Sequence, residues 1–144
     1  MFELSQFYTW CRETGVDVIP FAHAPSPGAT IRDGAFYAIF LDFTQIPSTK
    51  LLKGICAHEM GHAATGALHR VNSPFETVAR SEARAKAWTA QNCLTEGDFR
   101  EAFAAGCREL WQVAEYLDLP ERDVLDAYRY WTERRGVDFH TISR

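Results

Sequence analysis

Ile55-Cys56-Ala57-His58-Glu59-Met60-Gly61-His62 sets two histidines four residues apart in an apolar stretch. On an α-helix, residues at that spacing lie on one face, one above the other. The two imidazoles then converge on a point that a Zn²⁺ ion can occupy. Glu59 follows the first histidine, about 100° further round the helix. From there it reaches a water on the metal without being a ligand, which is the position of a general base. Leu51, Leu52 and Ile55 occupy the preceding turns on or beside the histidine stripe, so the metal end of the helix faces protein. Gly61 costs a helix about 1 kcal/mol relative to alanine, and its presence predicts close approach of another backbone. Ser48 suits the N-cap, and Gly66 suits the left-handed position after the last turn.

Catalytic zinc normally has three protein ligands, and two candidates compete for the third place. His69 follows the helix as the last histidine of an H-E-x-x-H-x-x-G-x-x-H arrangement would, but both Gly66 and His69 arrive one residue late for it. At the C-terminal end of a helix, a histidine is also favoured simply by the dipole. Glu82 is the stronger candidate. It falls on the buried side of the following helix, where an unpaired carboxylate is expensive. Antiparallel packing of that helix against the first would set Glu82 opposite His58 and His62, completing an N,N,O set typical of hydrolytic zinc. An i,i+4 ion pair with Lys86 is the competing use of Glu82 and is worth only a few tenths of a kcal/mol. Cys56 lies two residues from His58 on a different face and is a weak ligand candidate.

Working outward, Phe2 to Thr14 reads as a helix stopped by Gly15, with Phe2, Phe7, Trp10 and Cys11 on one side. Three short strands follow: Val16 to Phe21, Ala29 to Arg32 and Phe36 to Leu41, the last two joined through Asp33-Gly34. Ala24-Pro25-Ser26-Pro27-Gly28 is a turn cluster between the first two. Ser73-Pro74-Phe75-Glu76 opens the next helix with a cap, an N1 proline and a capping box. That helix extends to about Leu94, with Phe75, Val78, Ala79, Glu82, Ala85 and Cys93 on or near its apolar side. Thr95 to Ala105, Arg108 to Leu117 and Pro120 to Arg135 are further helical patterns. The expected fold is α+β in one domain over residues 1–144. A small three-stranded sheet packs on the metal helix, and a helical region covers about residues 95–135.

A chain of 144 residues with 47% hydrophobic and 13% aromatic content can bury a sizeable core. Its net charge of −4 and pI of about 5.7 argue against non-specific binding to nucleic acid or anionic membrane. The N-terminus lacks the pattern of a signal peptide, and no run of apolar residues is long enough to span a bilayer. Cys11, Cys56, Cys93 and Cys107 are widely spaced without a C-x-x-C, as expected of reduced thiols in a cytoplasmic protein. Val113 to Trp131 scans as a helix-turn-helix. From Asp98 to Arg144, however, 10 acids face 7 arginines, and DNA recognition asks for a basic outer face.

His58-Glu59-Met60-Gly61-His62, Thr65-Gly66-Ala67, Ser73-Pro74-Phe75 and Glu82-Ala83-Arg84-Ala85-Lys86-Ala87-Trp88 together resemble the ImmA/IrrE metallopeptidases of phages, integrative elements and stress responses. The resemblance covers about residues 17 to 130. Lys86 departs from it, since many members carry Asn or Asp there. It implies a zincin-like fold, zinc ligation by His58, His62 and Glu82, and Glu59 as catalytic base. It also implies a protein substrate, a helix-turn-helix repressor whose cleavage derepresses a mobile element or stress regulon. The residues themselves leave a second use open, a non-proteolytic antirepressor with a structural zinc. For a peptidase, Phe36 to Leu41 is the expected substrate platform, because an extended peptide can add to an exposed sheet edge. Tyr37 is the one candidate for stabilising the oxyanion, and its strand spacing fits a core aromatic equally.

Overall fold

A computed structural model describes residues 1–66 and 75–140, with Asp33 and residues 75–77 described by backbone alone. The fold is α+β and mostly helical. In order come α1 (Leu4–Thr14), β1 (Asp17–Pro20), β2 (Gly28–Asp33), β3 (Phe36–Leu41), α2 (Thr49–Thr65), α3 (Phe75–Asn92), α4 (Glu96–Ala104), α5 (Leu110–Leu117) and α6 (Glu121–Arg129). A five-residue π turn, Tyr130–Arg134, carries the last helix on to nearly its expected end. No helix of the described residues is long and apolar enough to cross a membrane.

Local chemistry accounts for the helix ends. Glu3 and Gln6 form a reciprocal capping box at α1, and Gly15 closes it at φ 75°. Thr95 and Asp98 do the same at the start of α4. Ser48 accepts from the Leu51 amide at the start of α2, and Gly66 sits at φ 63° after its end. The expected cap at Ser73-Pro74 and the side chains of Phe75 and Glu76 lie outside the described residues. Ala79, expected on the apolar side of α3, is exposed, whereas Ala85 and Cys93 are buried. All four cysteines are free, three of them buried.

The sheet is mixed, and its order is β1-β3-β2. β3 pairs in parallel with β1 and antiparallel with β2, so it is the central strand. Phe36 to Leu41 therefore has no open edge for a substrate, and that expectation is corrected: among the described residues the free edges belong to β1 and β2. Asp33 pairs with Phe36, so the hairpin loop is Gly34-Ala35, one residue beyond the expected Asp33-Gly34. Gly34 takes φ 62° at the first loop position, where a type II′ turn requires it.

Ile39 and Leu41 point inward and are fully buried, while Phe36 on the other parity is 73% exposed. One core joins the inner sheet face to all the helices, through Phe7, Ile39, Leu41, Cys56, Leu94, Phe99, Leu117 and Val124 among others. Lys53 of α2 lies within this core at 2% exposure. Its Nζ meets the Leu117 carbonyl and the Asp118 carboxylate at 3.4 Å, and the Glu3 carboxylate at 3.9 Å.

Candidate metal centre

α2 and α3 run antiparallel in close contact, as paired residues show. Thr89 donates to the Ala57 carbonyl, Ala85 lies against Gly61, and Arg84 donates to the Thr65 carbonyl. A Cβ on Gly61 would stand 2.5 Å from the Ala85 carbonyl oxygen, so the glycine admits the second backbone as its position predicts. Gly54, two turns earlier on the same stripe, gives equal room to Pro120 and Asp123 at the start of α6. These two close approaches set the rotation of α2 and therefore where its histidines point.

They point at Glu82. His58 Nε2 lies 3.3 Å from one carboxylate oxygen, His62 Nε2 lies 3.1 Å from the other, and the two Nε2 atoms are 3.1 Å apart. Ligands held about 2.0–2.1 Å from a tetrahedral ion stand about 3.3 Å apart. Each carboxylate oxygen stands near that separation from one imidazole nitrogen, and with one ligand atom per residue all three lie within 4.8 Å of one another, close enough to hold a metal ion. Burial, and then the neighbouring His62, hold His58 below the ordinary imidazole pKa, which keeps it in the neutral form a metal needs. Lys86 does not take Glu82 as an i,i+4 partner. It pairs instead with Asp126 of α6 at 3.4 Å.

Glu59 is buried beside this triangle. Its Oε1 accepts from the Thr30 hydroxyl at 3.0 Å, and the same hydroxyl is 3.2 Å from the Glu59 carbonyl oxygen. Burial raises the Glu59 pKa above the usual carboxylate value, with His62 and Thr30 opposing. β2 reaches Glu59 because Gly28 has no side chain: a Cβ there would fall 2.5 Å from Ile55 Cγ2 and 3.4 Å from Glu59 Cγ.

Two recesses meet at the cluster. One, of 310 Å³, opens toward α6, with the charged side chains of Lys86, Arg122, Asp123 and Asp126 on one wall and Pro27, Leu51 and Ile55 on another. The second, a groove of 760 Å³, runs from His58, Glu59, His62 and Glu82 across β2 to Phe21 and Phe40. The helix that would have to enter a DNA groove, α6, thus walls the recess beside the cluster through its Arg122, Asp123 and Asp126 side.

Among the site residues expected from sequence, His58, His62 and Glu82 are brought together, with Glu59 alongside. His69 lies outside the described residues. Cys56 is fully buried away from the cluster, its thiol pushed up to about 12 by burial. Tyr37 does not line the groove; its hydroxyl lies against Gly66, beyond the end of α2. Thr30, Gly28 and the α6 side chains were not foreseen, because each reaches the site through a tertiary contact that no local motif announces. Comparison with protein-family models, with curated proteins and with solved structures gives no match to this chain.

Proposed function

We propose that the chain is a zinc-dependent endopeptidase of zincin-like fold, with the metal held by His58, His62 and Glu82. The observation that carries this reading is the position of Glu59. A buried carboxylate, left out of the ligand triangle and oriented by Thr30, lies where the triangle meets an open sheet edge. A purely structural metal has no use for it. The ion, when bound, supplies a Lewis acid that acidifies water and polarises a carbonyl. Glu59 accepts the proton of the attacking water and passes it to the leaving amine nitrogen. Thr30 occupies Oε1 of that carboxylate, leaving Oε2 for the transfer. The free edge of β2, rather than β3, is where an extended peptide would add as a further strand.

The resemblance of His58-Glu59-Met60-Gly61-His62 and Glu82–Trp88 to ImmA/IrrE peptidases supports a specific substrate class, a cytoplasmic helix-turn-helix repressor encoded beside the protein. The test is incubation with that repressor, with and without a chelator, read by intact mass. Native protein should cut it at one position, and the chelator should stop the cut. Glu59→Gln should lower the rate by roughly 10²–10⁴-fold while binding zinc as tightly as before, measured by competition with a chromophoric chelator. Derepression that survives unchanged in this variant would point to sequestration instead.

A further inference from the structure

We propose that the groove contains, on the outer face of the sheet, a side-chain pocket for a bulky apolar residue of a peptide laid along β2. The inference rests on reading the groove as a peptide channel and adds what the channel selects. Strand parity comes first. Thr30 points inward to Glu59 and pairs with buried Ile39, so its neighbours Ala29 and Ile31 point to the outer face. Ala29 stands opposite Phe40, and Ile31 opposite Ala38. A methyl beside an aromatic ring leaves a depression, with the Phe40 ring as its floor. Phe21 closes one side, edge-on to Phe40 at 5.8 Å and 87°. Ala24 and Pro25 of the loop before β2 complete the wall.

That loop is fixed rather than loose. Asp42 accepts from the Ala24 amide at 2.9 Å, and Gln45 donates to the Ala24 carbonyl at 2.8 Å. The Asp42 amide donates to the Pro27 carbonyl at 2.8 Å, and the Phe21 amide to that of Leu41 at 3.0 Å. Phe21 is nevertheless 53% exposed and Ile31 51%, so the fold pins apolar surface in the open.

The occupant follows from continuity and chemistry. The lining passes without a break from Phe40, Ala29 and Ile31 to the metal ligands and Glu59. Among the described residues β2 pairs only with β3, which leaves its other edge open, and Gly28 to Ile31 of this strand line the groove. A peptide strand on that edge would lie about 4.8 Å away and send alternate side chains to the outer face, over the depression. Among the described residues, no charged side chain lines that part of the groove. A charged residue would be desolvated there without a partner, whereas Phe, Leu, Ile or Met would bury its surface favourably.

A set of dye-labelled octapeptides tests this: a Ser/Thr host, and the same host with one Phe walked through every position. Affinity is read by fluorescence anisotropy on zinc-loaded Glu59→Gln protein. Phe should bind roughly tenfold or more above the host, at positions two apart. Ala29→Phe, which fills the pocket from the edge strand, should erase the gain. Phe40→Ala, which deepens it, should move the preference from Phe to Trp. Equal affinity for host and Phe peptides, or a gain that survives Ala29→Phe, would overturn the pocket. Hydrolysis of the same peptides by the unsubstituted protein is scored separately. Selective binding without any cut removes the peptidase reading and keeps the pocket; cutting without Phe selectivity does the reverse.

Discussion

Glu59 is held between opposing influences. Burial drives its pKa up, while His62 and the Thr30 hydroxyl favour the ionised form. With Glu59 as the proposed base, which must be deprotonated to work, activity should fall as pH drops through this raised value, placing the acid limb above the ordinary carboxylate range near 4.3. Thr30→Val removes a hydrogen bond to the charged form and should move that limb to still higher pH, read from kcat/KM profiles of the two proteins. An unmoved limb would mean that another group titrates there. At this scale the sequence was most informative. Two histidines at helical spacing, and a carboxylate in the middle of a buried helix face, announce themselves. Thr30 does not, because it stands 29 residues from its partner and nothing about a strand threonine says which side chain it will meet.

Among the elements, α2 is the one with least tolerance. The Gly61 neighbour is the Ala85 carbonyl, which is backbone and cannot swing aside. Gly61→Ala should therefore destabilise the protein by about 1–3 kcal/mol through overpacking, despite the better helix propensity of alanine, as measured by chemical denaturation. Asp42 matters differently. Hydrogen bonds from Thr44 and Gln45, then from the Ala24 amide, hold its pKa well below the usual carboxylate range. A depressed folded pKa gives stability that is complete above the unfolded value near 3.9 and lost as pH falls below it. Asp42→Asn should flatten the fall in Tm between pH 5 and pH 2 relative to the native protein. Helix caps such as Ser48, Gly15 and Gly66 were legible because capping is local chemistry. Strand order was not. β1 reaches β3 in parallel only by passing β2 on the outside, and no short stretch encodes that crossing.

For the whole molecule, a metal that binds the folded chain alone must stabilise it. Zinc at a hundredfold over its Kd should contribute about 2.7 kcal/mol, or roughly 10 °C in Tm for a chain of this size. His62→Ala should abolish the shift, as differential scanning fluorimetry would show. Helix content in the C-terminal half was readable from periodicity, but its contribution of a wall to the recess beside the His58, His62 and Glu82 cluster was not. That role depends on α6 docking at Gly54, through a contact between Gly54 and Pro120 that spans 66 positions.

Lys53 carries the same point into how the chain can be dissected. Its ammonium, enclosed in the interior, finds its partners at Glu3 and at Leu117 and Asp118, near one end of the sequence and late in it. A fragment cut before residue 110 would remove that cation's two closest contacts together with Val113, Leu117, Leu119 and Val124, which belong to the same core. Trimming the protein to a minimal piece around the cluster should then destabilise the helix that bears both histidines.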